Sequence, residues 1–450
     1  MLKRLLHRSY YRSAGFNYRL RALTPTGWCV LFAMLAAGAI GVDTSEAMSF
    51  QSFALLLSIL FVAGIWYCCP QPRMTLRRQL PRYGSAGNKL SYRVFISNPN
   101  RRSRLDLAMT EYFGDFRPTL EEFLRWSEPG EEHRNAIDRA FGYYRWLWLL
   151  NRIRPALAEE TALPILPPES ETELRMEILP LRRGLLRFEP AVVSARDPLG
   201  LARRSSRVGE RDSVLILPKI YPIPAQVLRG RRECRTQGMS TALSIGSSEE
   251  FVSIREYRRG DPLRHVHWKS SARADRLLVR EFQDEFLVRQ AIVLDTFGDR
   301  CSPELFEEVI SLAASFATAL RANESLLDFV VMRDGAAPFA ADLVTSTLEE
   351  VLQTLAAIEP CRDGSFDRLA DLVMERLPGI AGMICIFLAW DEPRRELVRR
   401  IQGAGISLQV FLIVEEGQSS LVDRGPRADR PESFVCLEAG RIESGLARLR

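Results

Sequence analysis

The run Arg289-Gln290-Ala291-Ile292-Val293-Leu294-Asp295 decides the fold of the C-terminal part of the chain. It is short, apolar in its middle and closed by an acid, which is typical of a strand buried on both faces of a sheet. Helix-favouring segments (303–322, 346–358, 366–377 and 392–402) alternate after it with strand-favouring ones (326–332, 382–390 and 407–414). Such alternation indicates a parallel sheet covered by helices on both faces. We therefore predict a doubly wound α/β domain over residues 290–450.

Two acidic residues stand at the ends of predicted strands of this domain. Asp295 ends the first strand and Asp391 follows the strand at 382–390, so both lie at the sheet edge where doubly wound domains bind ligands. The arrangement resembles the von Willebrand factor A domain, whose metal site begins with Asp-x-Ser-x-Ser after the first strand. Here Phe297 and Asp299 stand where that motif has its serines. We expect Asp295, Asp299 and Asp391 to cap strands and helices, with a degenerate Mg²⁺ site as the alternative.

Two uncharged segments of twenty residues each, Leu23–Val42 and Phe50–Cys69, lie near the N-terminus. About 20 residues of helix span a bilayer, and only residues 43–49 join the two segments. Lys and Arg are frequent before the first segment and after the second, and are absent between them. The positive-inside rule then predicts a two-helix transmembrane hairpin, multi-pass in the inner membrane, with residues 1–22 and everything after residue 69 in the cytoplasm. A signal peptide or a buried core hairpin is the alternative, but a signal peptide leaves the second segment unexplained.

The charge balance of the chain argues against a nucleic-acid-binding face. The 450 residues contain 61 Lys and Arg and 56 Asp and Glu, a net charge of +5. Residues 1–82 hold ten of the basic residues and two of the acidic ones, so the rest of the chain has a net charge of −3. We therefore expect the membrane rather than a nucleic acid as a partner. The eight cysteines show no paired spacing, as expected of reduced thiols in a cytosolic compartment.

Residues 73–224 predict a small β domain. Short extended runs broken by turn residues recur there, for example Leu90–Ser97, which alternates in polarity. Their spacing and β-branched content favour an immunoglobulin-like β-sandwich. Residues 119–154 interrupt it with helical character and contain five aromatic residues within 141–148. This insertion would either pack on the sandwich as core, which we favour, or lie at lipid headgroups or against a partner.

A densely patterned stretch over residues 238–289, the signature segment, precedes the α/β domain. Eight of its residues follow one pattern at fixed spacing: Arg255, Tyr257, Gly260, Asp261, Arg264, Trp268, Ala272 and Arg273. The pattern resembles the signature of the bacterial family called domain of unknown function 58. Residues 182–188 and 197–201 are similar to the end of that family's β domain. The resemblance implies a membrane hairpin, a β domain and a von Willebrand factor A-like C-terminal domain.

The same resemblance implies partners. Members of the family are associated with a MoxR-type AAA+ ATPase and often with a membrane protein that carries a transglutaminase-like domain. The implied role is that of an adaptor in ATPase-driven assembly or maturation of cell-envelope or other protein complexes. The chain has no Gly-x-x-x-x-Gly-Lys-Ser/Thr loop, so it is not predicted to hydrolyse ATP by that route.

Alternation of Arg with Asp and Glu gives the signature segment two possible roles. An Arg–carboxylate ladder would either dock an acidic loop of a partner or join the β domain to the α/β domain internally. We favour the internal role, because Gly260-Asp261-Pro262 predicts a turn and Trp268 predicts a buried anchor.

An enzyme is the alternative to an adaptor. His265 and His267 are two residues apart, so they would face the same side of a strand and would suit Zn²⁺ binding or an active site. No Cys pair accompanies them, and nothing near Cys234 arranges an oxyanion hole. The sequence thus predicts a non-enzymatic, membrane-anchored scaffold without a cofactor. The alternative is a metal-dependent enzyme or hydrolase centred on the two histidines and the acidic strand ends.

Overall fold

The computed structural model describes residues 2–20, 22–40, 47–68, 73–224, 227, 249–258, 261, 263–284, 289–297, 302–322, 326–332, 339–342, 347–361, 365–419, 423, 425–427 and 433–449. The chain forms two compact units, Met1–Lys219 and Ile220–Arg450. The first unit contains apolar helices and a β-rich domain, and the second contains the signature segment and an α/β domain. The prediction of a multidomain chain is confirmed.

Three helices form the N-terminal part of the first unit: α1 (Leu2–Leu20), α2 (Pro25–Ile40) and α3 (Ala47–Cys68). Within the described residues, one helix is long and apolar enough to cross a membrane, at Met48–Cys68. Helix α2 is apolar but has 16 residues, fewer than the about 20 that a span needs. The two helices contact each other, since a Cβ added to Gly38 would lie 3.1 Å from the ring of Phe53.

Residues 197–204 of the β domain, a loop and the first residues of the strand that follows it, hold both apolar helices. At the start of α2, the backbone N–H of Thr24 donates to the Leu201 carbonyl at 2.9 Å. A Cβ on Gly27 would overlap that carbonyl oxygen, so this position requires glycine. At the end of α3, the guanidinium of Arg204 donates to the Trp66 carbonyl at 3.0 Å and lies over the Trp66 ring. Leu201, in the stretch 197–201 that the sequence singles out, thus holds α2, and Arg204 holds α3.

The β domain consists of two sheets that share one core. Its strands are β1 (Thr75–Gln79), β2 (Tyr83–Ser85), β3 (Leu90–Asn98), β4 (Leu107–Tyr112), β5 (Ala156–Ala158), β6 (Thr161–Ala162), β7 (Ser170–Pro180), β8 (Gly184–Arg196), β9 (Arg203–Val208) and β10 (Asp212–Leu217). One sheet has the order β1-β3-β7-β5, and the other has the order β2-β10-β8-β4-β6 with β9 beside β8. Alternate residues of β3 are buried, and Val94, Phe188 and Ile216 are among the core side chains. The alternation in the sequence is thus the period-two pattern of a strand with one buried face.

The helical insertion lies between β4 and β5 and contains α4 (Leu120–Arg125), α5 (Ala136–Phe141) and α6 (Tyr143–Ile153). Phe123, Trp146 and Leu149 form a small buried cluster that is separate from the core of the sandwich. Phe141, Tyr143 and Tyr144 are exposed. The prediction that the aromatic residues are core is therefore right for Trp146 and wrong for these three, because α6 buries only one of its faces.

The second unit begins with the strands and helix of the signature segment and continues into a six-stranded sheet. Its elements are β11 (Glu249–Glu256), α7 (Trp268–Ala274), β12 (Leu278–Asp284), β13 (Arg289–Leu294), α8 (Pro303–Ala322), β14 (Leu326–Val331), β15 (Phe339–Asp342), α9 (Leu348–Ala357), α10 (Phe366–Arg376), β16 (Gly382–Phe387), α11 (Glu392–Gly403), β17 (Ser407–Val414), β18 (Phe434–Glu438) and α12 (Ile442–Ala447). The sheet order is β15-β14-β13-β16-β17-β18, parallel except for the antiparallel edge pair β14 and β15. The strand order reverses between β13 and β16, which is where doubly wound domains open a crevice at the carboxyl ends of their strands.

Candidate functional site

The signature segment folds around a two-stranded antiparallel sheet of β11 and β12. Between these strands, the described residues include a short 3₁₀ helix at Leu263–His265 and helix α7. Backbone hydrogen bonds tie this connection to β12 and the residue before it. Tyr257 N–H donates to the Leu277 carbonyl at 2.9 Å, and His267 N–H donates to the Leu278 carbonyl at 2.8 Å. Gly260 lies outside the described residues, and the other seven pattern residues are placed by this connection.

An ion pair between Arg255 and Asp261 joins β11 to the residues that follow it. The two terminal nitrogens of Arg255 donate to the two carboxylate oxygens of Asp261 at 2.7 and 2.9 Å. The backbone N–H of Arg258 donates to the same carboxylate at 2.8 Å. Bidentate pairing of this kind fixes the relative orientation of both groups. Arg255 and Asp261 therefore have an internal role in the signature segment.

The Asp261 carboxyl group is expected to titrate far below its ordinary range. The hydrogen bonds from Arg255 and from the Arg258 backbone lower the pKa of Asp261 from 3.8 to about 2. A lowered pKa means that this contribution to stability is complete above about pH 4 and is lost as the pH falls towards 2. Carboxyl ¹³C NMR should place the midpoint near pH 2, and Arg255→Gln should move it towards 3.8. Arg276→Gln, which removes the partner of Glu256 instead, should leave the midpoint unchanged; an equal shift would show that the effect is not specific to Arg255.

The other pattern residues face solvent. Arg264, Trp268, Ala272 and Arg273 are exposed, and 64% of Trp268 is accessible. The prediction that Trp268 is a buried anchor is wrong. Helix α7 turns Ser271 towards β12 instead, and the Ser271 hydroxyl accepts a hydrogen bond from Leu278 N–H at 2.9 Å.

Further exposed side chains lie within a few residues of Trp268 in the sequence. Leu263 is 65% exposed, and Lys269 is also exposed. We define the signature face as Leu263, Arg264, Trp268, Lys269 and Arg273. It combines two large apolar side chains with three cations. A helix face that is merely solvated exposes charged groups, whereas this segment exposes apolar area to water as well.

The two histidines do not share the face of a strand, and that prediction is wrong. His265 ends the 3₁₀ helix, and His267 is the N-cap of α7, where its Nδ1 lies 2.7 Å from the Ser270 hydroxyl. Arg264 Nε donates to His265 Nε2 at 3.2 Å. Across the described part of the chain, no three His, Cys, Asp or Glu side chains are grouped so that they would hold a metal ion. Their spacing of two residues therefore reflects the end of a 3₁₀ helix and a helix cap rather than a strand.

The structure brings Asp295 and Asp391 together at the switch point through a third residue, Arg394. Arg394 Nε donates to Asp295 Oδ2 at 2.6 Å, and Arg394 Nη1 donates to Asp391 Oδ2 at 2.6 Å. Arg394 Nη2 donates to the Phe297 carbonyl at 3.1 Å. We refer to Asp295, Asp391 and Arg394 as the switch-point triad. Asp299, which the sequence predicts beside them, lies outside the described residues.

Burial makes the switch-point triad electrostatically strong. The side chain of Asp295 is inaccessible and that of Arg394 is 5% accessible, whereas that of Asp391 is 48% accessible. The backbone N–H groups of Phe297 and Leu388 also donate to Asp295. Burial by itself lowers the pKa of Arg394, but the charge of Asp295 and the hydrogen bonds to both acids outweigh it, so this pKa is raised. The guanidinium thus remains a fixed positive charge between two carboxylates.

Arg394 is a functional-site candidate that the sequence reasoning missed. Asp391 is the N-cap of α11, and its Oδ1 accepts from the Arg394 N–H at 3.3 Å. The signal available in the sequence was an arginine three residues after an acid that caps a helix. At that spacing the arginine side chain lies next to the capping acid. Only the fold shows that Asp295 lies beside the arginine as well.

Taken together, the chain joins apolar helices, a two-sheet β domain, a signature segment and a doubly wound α/β domain. The model of the family described as Protein of unknown function DUF58 matches residues 253–384, which run from the signature segment into β16. This match confirms the resemblance that the sequence pattern predicts, over the matched residues.

One relative is similar to part of the chain. The "Uncharacterized protein YeaD" of Bacillus subtilis (strain 168) is 28% identical over 147 residues, which are 33% of this chain and 36% of YeaD. The match therefore spans about a third of the relative's length. Among solved structures, the CARDB domain of PF1109 from Pyrococcus furiosus is 13% identical, with 33% of this chain and 97% of that chain covered and a TM-score of 0.19. Red sea bream transglutaminase is 12% identical, with 32% and 15% covered and a TM-score of 0.18. At these TM-scores neither structure bears on the function of this chain.

Proposed function

We propose that the protein is a membrane-anchored, non-enzymatic adaptor whose signature face docks an acidic surface of a partner protein. The observation that carries the proposal is the exposure of Trp268, at 64%, in a segment that also exposes Arg264, Lys269 and Arg273. Trp and Arg are the residues most enriched among the energetic anchors of protein interfaces. Burying Trp268 against a partner would remove its apolar area from water.

Charge specifies the kind of partner. The side chains of Arg264, Lys269 and Arg273 are cationic, and planar guanidinium groups pair bidentately with carboxylates. The exposed acid Glu256 of the same segment pairs with Arg276, and Asp261 pairs with Arg255, so both acids are partly neutralised from within the segment. The family resemblance supplies the identity of the partner, a MoxR-type AAA+ ATPase. A membrane protein with a transglutaminase-like domain is a further partner in the proposed assembly or maturation of cell-envelope or other complexes.

The proposed anchor is a hairpin of α2 and α3 in the inner membrane. Its support is the contact of α2 with α3, the candidate span at Met48–Cys68 and the absence of Lys and Arg from residues 23–72. A hairpin places residues 1–22 and the large C-terminal part on the same, cytoplasmic side. The β domain is then an immunoglobulin-like sandwich on that side. The α/β domain, with strand order 3-2-1-4-5-6, is von Willebrand factor A-like.

We propose in addition that the switch-point triad replaces a metal. The guanidinium of Arg394 supplies the positive charge that Asp295 and Asp391 would otherwise require from a divalent cation. The proposal is that this site works without a divalent cation. The metal-dependent enzyme has less support, because the two histidines are engaged in a turn and a helix cap within the described residues.

Replacing Arg264 and Arg273 together with Ala is expected to weaken capture of the MoxR-type ATPase at least about tenfold, since anchor residues of interfaces dominate affinity. The measurement is a titration of the purified full chain in detergent with the purified ATPase from the same cells, at low and high salt. The affinity of the wild-type chain should fall as salt is raised, because the contact joins opposite charges.

Arg368→Ala with Arg448→Ala is the matched control, because both residues are exposed cations of the same unit. The control should bind as the wild type does, and melting curves of all three proteins should coincide. Equal binding by the signature-face variant and the wild type would contradict the docking role. A variant that is simply unfolded would show instead that Arg264 and Arg273 are structural.

A further inference from the structure

Helix α1 presents a row of cations close to the apolar helices. Its sequence contains five Lys and Arg residues and neither Asp nor Glu. Arg4, Arg8 and Arg12, which we name the basic row, recur at every fourth residue and are all exposed. Residues at this spacing are neighbours on a helix surface, where like charges repel and destabilise the helix. An anionic surface against the row would remove that repulsion.

Other side chains of α1 fix the orientation of the row. His7 Nε2 lies 2.9 Å from the Pro118 carbonyl, and the His7 ring is 5.4 Å from that of Trp146. The Tyr10 hydroxyl donates to the Phe141 carbonyl at 3.1 Å. Helix α1 is thus docked on the helical insertion by one side, and the basic row occupies another side.

The basic row lines a groove beside the insertion. The groove has a volume of about 480 Å³, and its walls include Arg4, Arg8, Arg12, Tyr11 and Leu120. Arg4 and Arg12 are eight residues apart, about 12 Å along α1, so neighbouring guanidinium groups of the row suit a phosphate group, which they can bind through paired hydrogen bonds. The apolar part of the wall suits a ligand that carries hydrocarbon next to its phosphate. An inorganic phosphate ion would make no use of that part.

The position of α1 specifies where such a ligand is found. Helix α1 ends at Leu20, and α2 begins at Pro25. Between them, the Ala22 carbonyl accepts from Arg203 N–H at 2.6 Å, so the connection is held by the same loop that seats α2 and α3. The five steps from Leu20 to Pro25 extend at most about 17 Å. Arg12, the nearest member of the basic row, lies eight residues before Leu20, about 12 Å along α1. The nearest end of the row is therefore within roughly 30 Å of the start of α2.

Exposed aromatic side chains accompany the basic row. The ring of Tyr143 is 5.8 Å from that of Tyr10, and Phe141, Tyr143 and Tyr144 are 52%, 48% and 40% exposed. Amphipathic rings of this kind favour the headgroup level of a bilayer. Cations and exposed aromatic rings thus belong to one helical module.

We propose that α1 and the helical insertion together form a binding site for anionic phospholipid, with the basic row on the headgroup phosphate. The proposed lipid contacts are argued from the groove alone, whereas the placement of the site at the bilayer surface rests on the proposed membrane anchor. Such a site holds the β domain close to the bilayer surface. The position of the protein then depends on the lipid composition of the membrane.

The test uses the full chain in a neutral detergent, titrated with dioctanoyl phosphatidylglycerol, dioctanoyl phosphatidylcholine or inorganic phosphate, and followed by native mass spectrometry. Phosphatidylglycerol should bind about tenfold or more tightly than phosphatidylcholine, since each cation at an anionic lipid surface contributes severalfold. Arg4→Gln, Arg8→Gln and Arg12→Gln together should abolish that preference. The matched control is Arg102→Gln, Arg182→Gln and Arg187→Gln, which removes three exposed cations of the same unit and should preserve it.

Four results would overturn the proposal: equal binding of the two lipids, equal loss in the control variant, phosphate that displaces the lipid equimolarly, or loss of the ATPase rather than of lipid in the basic-row variant. The last result would make the row a protein-binding surface. The anchor is tested separately by extracting cell membranes with alkaline carbonate. Release of the wild-type chain there refutes the anchor whatever the lipid titration gives, so the two failures are distinguishable.

Discussion

Replacing Arg394 with Met is expected to lower the free energy of unfolding of the α/β domain by about 3–5 kcal/mol, the cost of removing one partner from a buried ion pair. Asp295 is inaccessible to water, and the variant leaves its carboxylate without the 2.6 Å hydrogen bond from Arg394 Nε. Met keeps most of the apolar stem, so the loss is one of charge and hydrogen bonds. Hydrogen exchange of the full chain, resolved by peptide, measures the opening free energy of this domain separately from the β domain.

Arg399→Met is the matched control on the same helix. Arg399 is 46% accessible and pairs with Glu392 and Glu396 at the surface, where ion pairs contribute about 0–1 kcal/mol. The double variant Arg394→Met with Asp295→Asn should recover part of the loss, because it removes the uncompensated charge. An Arg394→Met variant as stable as the control would contradict the role assigned to the triad.

Melting curves of the wild-type chain and of an Asp295 variant address the metal. If Arg394 is the built-in cation, the wild-type chain should melt at the same temperature in Mg²⁺ and in EDTA. Asp295→Ala should then be destabilised equally in both solutions. Stabilisation of the wild-type chain by Mg²⁺ would instead support a cation beside Arg394.

The periodicity of apolar residues along the sequence explains how much of the fold was predictable. Helix α8 and strand β17 have the predicted bounds, because a continuous apolar run and an amphipathic run are local properties of the sequence. Strands β15 and β18 were not predicted. Strand β15 has four residues at the sheet edge, where less burial is required and the pattern is correspondingly weak.

The site was less predictable, because the partners of charged side chains are set by the tertiary structure. The sequence placed Asp295 and Asp391 at the correct edge of the sheet, yet it did not indicate the arginine between them. Trp268 was expected to be buried because large aromatic residues usually are, whereas helix α7 leaves it in water. Arg78 is a further such case. The sequence counted it only among the basic residues near the membrane, whereas the structure buries it.

Replacing Arg78 with Met is expected to destabilise the β domain by about 3–5 kcal/mol. The side chains of Arg78 and Glu111 are inaccessible and are joined by hydrogen bonds of 2.8 and 3.1 Å. Arg78 lies on β1 of one sheet and Glu111 on β4 of the other, so the pair connects the two layers of the sandwich. Glu111 also accepts from the Tyr92 hydroxyl at 2.8 Å. Loss of Arg78 would leave a buried carboxylate with one neutral donor.

Arg77 provides an internal control, because it is the preceding residue of the same strand and is exposed. Arg77→Met should change stability by no more than about 0.5 kcal/mol, as surface substitutions usually do. The melting temperature of Arg78→Met should fall by roughly 10 °C, given about 2–4 °C per kcal/mol for a domain of this size. Arg78→Lys should recover little, since an ammonium group cannot make the bidentate contact with Glu111. Equal effects at positions 77 and 78 would mean that the pair does not hold the sheets together, and that Arg78, like Arg77, contributes only to the charge near the membrane.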